Sequence, residues 1–332
     1  MKTAGAVRFA ILGFGHHAIK RLVMAFAASN ETELVGLWRR DAGQAAKNCA
    51  EFRVPLNFTS REELCASPEV DAVFITSPDA MHLEDTLLAV SHGKAVLCEK
   101  PLAMTADEAL RMQAAATQHG VLLGVAQNLR WSPSVVWMRE QIAAGRIGEP
   151  QLGRAQFCYK ALGTPRRWIT NGGLACGGPI GDVGVHCLDA LRFVCDREVL
   201  RVQTMARKDE TFGDLEAVAT IQAEMSGGCF ASVSVSALAP YRTQIEVVGS
   251  EGVIVAENGM SVDHPVTVEI WVGGELVQAE TFDNSTSYTG MLDSFAKAMR
   301  GETFRASAQD GVATMRLLDA VYRGWGSGRT ES

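Results

Sequence analysis

Through residues 1–126 the apolar positions fall in short runs separated by stretches of helical period. Residues 7–12 read as a buried strand (Val7, Phe9, Ile11, Leu12) that breaks at Gly13 and Gly15 and resumes as a helix through Ala28. The sequence ELVGLW at 33–38 predicts the second strand, 42–51 a helix and 56–58 a short strand. Residues 60–66 form a helix that Ser60 caps, with Glu63 completing the capping box. A strand at 71–76 ends at Ser77-Pro78, a helix at 79–93 stops at Gly93, and a fifth strand covers 95–99. A helix at 105–119 and a strand at 121–126 follow. Strand and helix alternate throughout, which predicts an α/β domain with a doubly wound parallel sheet over residues 1–126.

The rhythm then changes. A helix at 133–144 ends at Gly145, and a strand covers 151–160. A loop rich in Gly, Pro and Arg fills 161–178, and GGPIGDVGVHCLD at 177–189 opens an apolar helix. From Val199 onward strands dominate. Residues 229–237 alternate, with Ala231, Val233, Val235 and Ala237 on one side and Phe230, Ser232, Ser234 and Ser236 on the other. That pattern predicts a half-buried antiparallel strand. Gly273-Gly274 signals a hairpin, 249–252 a second turn, and helices near 286–299 and 309–322 close the chain. Residues 127–332 therefore read as one α+β domain with a large open-faced, mostly antiparallel sheet. The open face needs a cover, supplied by helices or by a second subunit.

The turn GFGHHA at 13–18 is the first candidate for chemistry. Gly13 makes the tight turn, Gly15 lets a pyrophosphate approach the backbone, and Ala18 keeps helix and strand close. Phe14, His16 and His17 complete the stretch expected to lie against a dinucleotide. At the end of the second strand, where an NAD site carries an acid, the chain has Arg39-Arg40. A guanidinium suits a 2′-phosphate, so NADP(H) is expected over NAD(H); two solvated loop charges are the plain alternative. Lys100, stopped by Pro101 at a strand's carboxyl end, can hydrogen-bond a substrate oxygen, or is an ordinary exposed lysine. Asp182 and His186 stand four apart on one helix, with Asp189 three beyond. A carboxylate so placed can orient the imidazole; a satisfied core histidine is the alternative.

Composition narrows the partners. The 31 basic and 38 acidic residues give a net charge of −7, which disfavours nucleic acid and anionic membranes. No apolar run approaches a membrane span, and no signal-peptide pattern opens the chain. The eight cysteines lack a C-x-x-C and read as reduced thiols of a cytoplasmic protein. No metal-ligand spacing links the seven histidines.

Taken with EKP at 99–101 and GGxxxDxGxHxxD at 177–189, the glycine turn resembles the Gfo/Idh/MocA oxidoreductase family in order and spacing over nearly the whole chain. The resemblance is strongest to NADP-dependent sugar members. It implies hydride transfer between NADP(H), with NAD(H) as the second choice, and a sugar, polyol or dicarbonyl sugar, with Lys100 and His186 at the reacting oxygen. In the roles it implies, Lys100 contacts that oxygen, His186 is the general acid/base, and Asp182 places substrate and His186. Ser77, Pro78, His82 and Glu99 would lie beside the nicotinamide half. Asn128 and Arg130 would line the cleft, Asn128 against cofactor and Arg130 against substrate. The loop carrying Arg166, Arg167 and Trp168 would lie over cofactor and substrate. A homodimer or homotetramer through the C-terminal sheet is also implied. Two competitors share the fold: a glycosidase that retains NAD, and a non-catalytic dinucleotide or sugar sensor.

Overall fold

A computed structural model describes residues 5–327. The chain divides into two compact units: Met1–Gln127 with Tyr288–Met315, and Asn128–Ser287 with Arg316–Ser332.

The first unit is a six-stranded parallel sheet of order β3-β2-β1-β4-β5-β6. Its strands are β1 (Val7–Leu12), β2 (Thr32–Trp38), β3 (Leu56–Asn57), β4 (Ala72–Ile75), β5 (Ala95–Cys98) and β6 (Leu123–Val125). The side chains of β1, β4, β5 and β6 are almost wholly buried, because helices cover both faces of such a sheet. The helices are α1 (Val23–Ala28, entered through a π-helical turn Ala18–Leu22), α2 (Ala42–Phe52), α3 (Arg61–Ala66), α4 (His82–Ser91) and α5 (Ala106–His119). Ser60 accepts from the Glu63 N–H at 3.0 Å as expected, while the Glu63 carboxylate reaches the Thr59 N–H at 2.7 Å.

One expectation changes here. Residues 288–315, read from sequence as part of the second domain, pack with the first. Phe295 sits 5.7 Å from Phe9 and 5.3 Å from Phe304, and the Val125 N–H donates to the Ala306 carbonyl at 2.9 Å. Gly124 makes room for this: a Cβ there would lie 2.5 Å from the Phe304 ring.

The second unit holds α6 (Pro133–Ala143) and α7 (Val185–Cys195), with a π-helical turn, Ile180–Gly184, leading into α7. Its eight-stranded sheet has the order β14-β13-β12-β11-β7-β10-β9-β8. The strands are β7 (Pro150–Cys158), β8 (Val199–Lys208), β9 (Glu216–Met225), β10 (Phe230–Ser236), β11 (Arg242–Gly249), β12 (Gly252–Glu257), β13 (Val266–Val272) and β14 (Glu275–Phe282). α7 lies on β7, β10 and β11. The alternation read for β10 holds, with Ala231, Val233 and Val235 buried. The sheet is mostly antiparallel as expected; β10 is antiparallel to β9 and parallel to β7. Periodicity reports which face is buried, not the direction of a neighbour. The hairpin at Gly273-Gly274 forms with both residues at positive φ. The chain's last two helices are α8 (Ser287–Ala298) and α9 (Ala308–Ser327). Among the described residues no helix is long and apolar enough to cross a membrane.

Candidate active site

In a parallel sheet of this order the carboxyl ends of β1, β2, β4 and β5 share one edge, and the order reverses between β1 and β4. Gly13, just past β1, has φ +89°, and a Cβ on it would sit 2.6 Å from the Ser77 backbone nitrogen. The turn after β1 thus packs directly against the turn after β4. Thr76 Oγ1 donates to the Gly13 carbonyl at 3.0 Å, and the Gly13 and Phe14 N–H groups reach the Trp38 carbonyl at 3.1 and 2.9 Å. By contrast a Cβ on Gly15 would meet only the Gly13 carbonyl, at 3.6 Å. The helix that follows makes its first turn from Ile19 N–H to the Gly15 carbonyl. A backbone with an unfilled approach at a helix N-terminus fits a pyrophosphate. Phe14 differs from expectation: its ring is buried against Phe52 and its N–H is taken, so it offers a ligand only its carbonyl.

At the end of β2, Arg39 is half-buried and donates from Nη1 to Asn48 Oδ1 at 3.0 Å, while Arg40 is exposed. His16 is exposed; His17 Nε2 lies 2.9 Å from Glu99 Oε1. Burial works against the Glu99 charge, but His17, and after it Lys100, outweigh it and hold the carboxyl down at about 2. The Lys100 N–H donates to Glu99 Oε2 at 3.2 Å, and the Lys100–Pro101 peptide is cis. Ser77 Oγ donates to the buried Asp85 at 2.6 Å, and Arg61 holds the other Asp85 oxygen at 2.7 Å.

His82 departs from a ligand-facing position. It is 0 % exposed, with Nδ1 3.0 Å from the Pro101 carbonyl and Nε2 2.9 Å from the Ser77 carbonyl. Carbonyls only accept, so the ring serves both best as a two-donor imidazolium. Burial opposes that charge, yet Cys98, Asp79 and the Ser77 carbonyl raise His82 to about 10. It ties the end of β4 to the EKP segment and leaves no ring nitrogen for a cofactor.

The second unit carries the other predicted residues. The Asp182 carboxylate takes both Nη1 and Nη2 of Arg166 at 2.9 and 3.0 Å, and the Tyr159 hydroxyl as well. Asp182 raises the Arg166 guanidinium further, while burial first and Asp182 second push the Tyr159 phenol up. His186, half-buried on α7, stacks on Phe157 with ring centres 6.4 Å apart. Asp189 belongs to a different pair: it accepts from Arg130 Nε and Nη2 at 3.0 and 2.8 Å. Arg130 is 6 % exposed and Asn128 4 %, with Asn128 Nδ2 donating to Ser287 Oγ at 3.4 Å. Each thus has an internal partner. Arg167 is exposed, and Trp168 packs on a cluster of Ala161, Ile169, Phe212, Ala217 and Ala237.

Two residues that spacing did not reveal shape the start of the α7 segment. Glu216, 1 % exposed, accepts from the Ile180 N–H at 2.9 Å and the Tyr322 hydroxyl at 3.1 Å. A Cβ on Gly177 would lie 1.6 Å from that hydroxyl, and one on Gly178 1.8 Å from the Glu216 carbonyl. The double glycine therefore admits a buried carboxylate. Burial raises the Glu216 carboxyl against the pull of its N–H and hydroxyl donors. An acid at the head of the apolar run of β9 is the only signal the sequence offers for Glu216. Among the described residues no cluster of His, Cys, Asp and Glu could hold a metal ion.

This sheet and its glycine turn define a dinucleotide-binding fold. Residues 7–127 match the family described as "Oxidoreductase family, NAD-binding Rossmann fold", and residues 135–255 match its C-terminal domain. The chain is 30 % identical over 332 residues to a 1,5-anhydro-D-fructose reductase of Ensifer adhaerens, covering 97 % of each. It is 27 % identical to the NADP(+) D-xylose 1-dehydrogenase of Haloarcula marismortui, over 96 % of this chain and 91 % of that one. An aldose-aldose oxidoreductase of Caulobacter crescentus, solved with glycerol, has the same fold: TM-score 0.90 at 22 % identity, covering 98 % and 99 % of the two chains. The chain belongs to the Gfo/Idh/MocA family and is an NAD(P)-dependent oxidoreductase of the type that acts on CH–OH groups.

Proposed function

We propose that the protein interconverts a hydroxyl and a carbonyl on a sugar, polyol or dicarbonyl sugar, with NADP(H) as its preferred dinucleotide. The single observation that carries this is the setting of Lys100. It lies between Glu99, tied to His17, and Pro101, tied to His82, at the sheet edge that also holds the glycine turn. The names of the two curated relatives support the substrate class. The backbone from Gly15 to His17 holds the pyrophosphate, Arg39 and Arg40 the 2′-phosphate, and Ser77, Pro78 and Glu99 the nicotinamide half. Arg167 and Trp168 cover the ligands. The bound nicotinamide supplies the hydride acceptor in the oxidative direction.

In that direction His186 accepts the hydroxyl proton and Lys100 donates a hydrogen bond to the oxygen, stabilising its alkoxide character. Asp182, fixed by Arg166 and Tyr159, places the substrate and His186. The enzyme works in the cytoplasm, where its eight free cysteines stay reduced. It associates through the open sheet face, on which register aligns Phe230, Leu152, Val248, Val253, Trp271 and Leu276 in one apolar row. Sedimentation gives a dimer or tetramer if so, and a monomer removes this part.

The decisive experiment is initial-rate turnover with NADP(H) and NAD(H) on aldoses, inositol and dicarbonyl sugars. Lys100→Met is expected to lose about 10²- to 10³-fold in kcat while still binding NADPH. Near-normal turnover in that variant takes Lys100 out of the mechanism. Cleavage of an added glycoside with no net reduction of added cofactor overturns the reading in favour of a retained-dinucleotide glycosidase.

A further inference from the structure

Asn48 is an unexpected residue where it stands. It lies in the middle of α2 and is 5 % exposed, although asparagine is a poor helix former and a buried amide needs a partner. Its carbonyl oxygen accepts from Arg39 Nη1 at 3.0 Å, across the turn that joins β2 to α2. That turn is itself fixed, because Asp41 caps α2 by accepting from the Gln44 N–H at 2.9 Å. On the same face, one helical turn on, Phe52 packs against Phe14 of the glycine turn with ring centres 6.0 Å apart. One face of α2 thus braces both segments assigned to the nucleotide.

We propose that Asn48 is a positioning residue for cofactor choice: it holds the Arg39 guanidinium in place so that its remaining N–H edge meets the 2′-phosphate as a fork. The inference rests on the assignment of Arg39 to that phosphate. An amide suits the task better than an acid. It accepts one N–H without neutralising the guanidinium, and the Nε and Nη2 donors stay available for two phosphate oxygens. An arginine already held in one geometry loses less freedom on binding than a free one. Asn48 therefore acts on the dinucleotide that carries the phosphate and leaves the shared part of the two dinucleotides alone.

The test is equilibrium binding of NADPH and NADH to the unliganded full chain, followed by nucleotide fluorescence, in wild type, Asn48→Leu, Asn48→Asp and Arg39→Ala. Asn48→Leu is expected to lower the NADPH-to-NADH affinity ratio about tenfold, the factor for one long side chain losing its preorganisation. Asn48→Asp keeps the shape but sets a carboxylate against the guanidinium, and is expected to lower the ratio further. If leucine unfolds α2, seen by thermal melting, the aspartate variant decides alone. An unchanged ratio, or an equal loss of both affinities, overturns the role of Asn48 while Arg39→Ala still lowers the ratio. An unchanged ratio in Arg39→Ala overturns the 2′-phosphate assignment itself, and this inference with it.

Discussion

Two glycine-rich turns open two helices in this chain, and they differ in what occupies the helix end. At 13–15 a Cβ on the second glycine would meet nothing nearer than 3.6 Å, so the approach to the helix N-terminus is clear. At 177–178 the corresponding space is filled by Glu216 and Tyr322, with would-be contacts of 1.8 and 1.6 Å. Both ends favour an anion, by N–H groups that have no partner within the helix and by the helix dipole. The first has an open approach; the second carries its own carboxylate, 2.9 Å from the Ile180 N–H. The same signature in sequence thus has two causes. A double glycine before a helix marks close approach, and only the structure says whether a ligand or the protein itself approaches.

The largest effect that separates the two turns is a single methyl group. Gly178→Ala drives a Cβ into the backbone carbonyl of Glu216 and is expected to destabilise by more than about 3 kcal/mol or to prevent folding. Gly15→Ala is expected to change stability by less than about 1 kcal/mol yet weaken NADPH roughly tenfold. Thermal melts and a fluorescence titration of the pair check both, and equal melting temperatures would erase the distinction. Next, Glu216→Leu leaves the Ile180 N–H and the Tyr322 hydroxyl without their acceptor, an expected loss of about 2 kcal/mol or more. Glu216→Gln keeps an acceptor and is expected to lose about half as much, measured by urea unfolding.

The smallest effect is in pH, and it has opposite signs at the two acids. Glu99 is held at about 2, below the ordinary 4.5, so its contribution is complete above pH 4.5 and fades as pH falls towards 2. Glu216 is raised, so its contribution is complete below the ordinary carboxylate value and is lost as pH rises through the raised one. Relative to wild type, Glu99→Gln should therefore lose ground between acid and neutral pH, and Glu216→Gln should gain it. Parallel slopes in urea unfolding against pH would refute the contrast.

Much of this was legible in local pattern. Six strands, the capped helices, the glycine turn and the hairpin at Gly273-Gly274 each depend on neighbours in sequence, and each lies within a few residues of its expected place. What escaped depends on residues far apart. Tyr322 meets Glu216 across 106 positions, and Arg130 meets Asp189 across 59. Arg166 lay only 16 residues from Asp182, but within an irregular loop whose path no periodicity encodes. His82 and Arg130 are expected as ligand contacts only through the family resemblance, not from any local pattern. Their burial against internal partners is a property of packing, and composition carries no trace of it.

The return of residues 288–315 to the first unit also sets a timetable. Phe9 leaves the ribosome long before Phe295, which packs against it, has been made. The unit whose strands are born first is thus left with an apolar face uncovered while the entire second sheet is still being produced. A chain interrupted after residue 127 would carry every strand of the nucleotide-binding sheet and still lack part of its core.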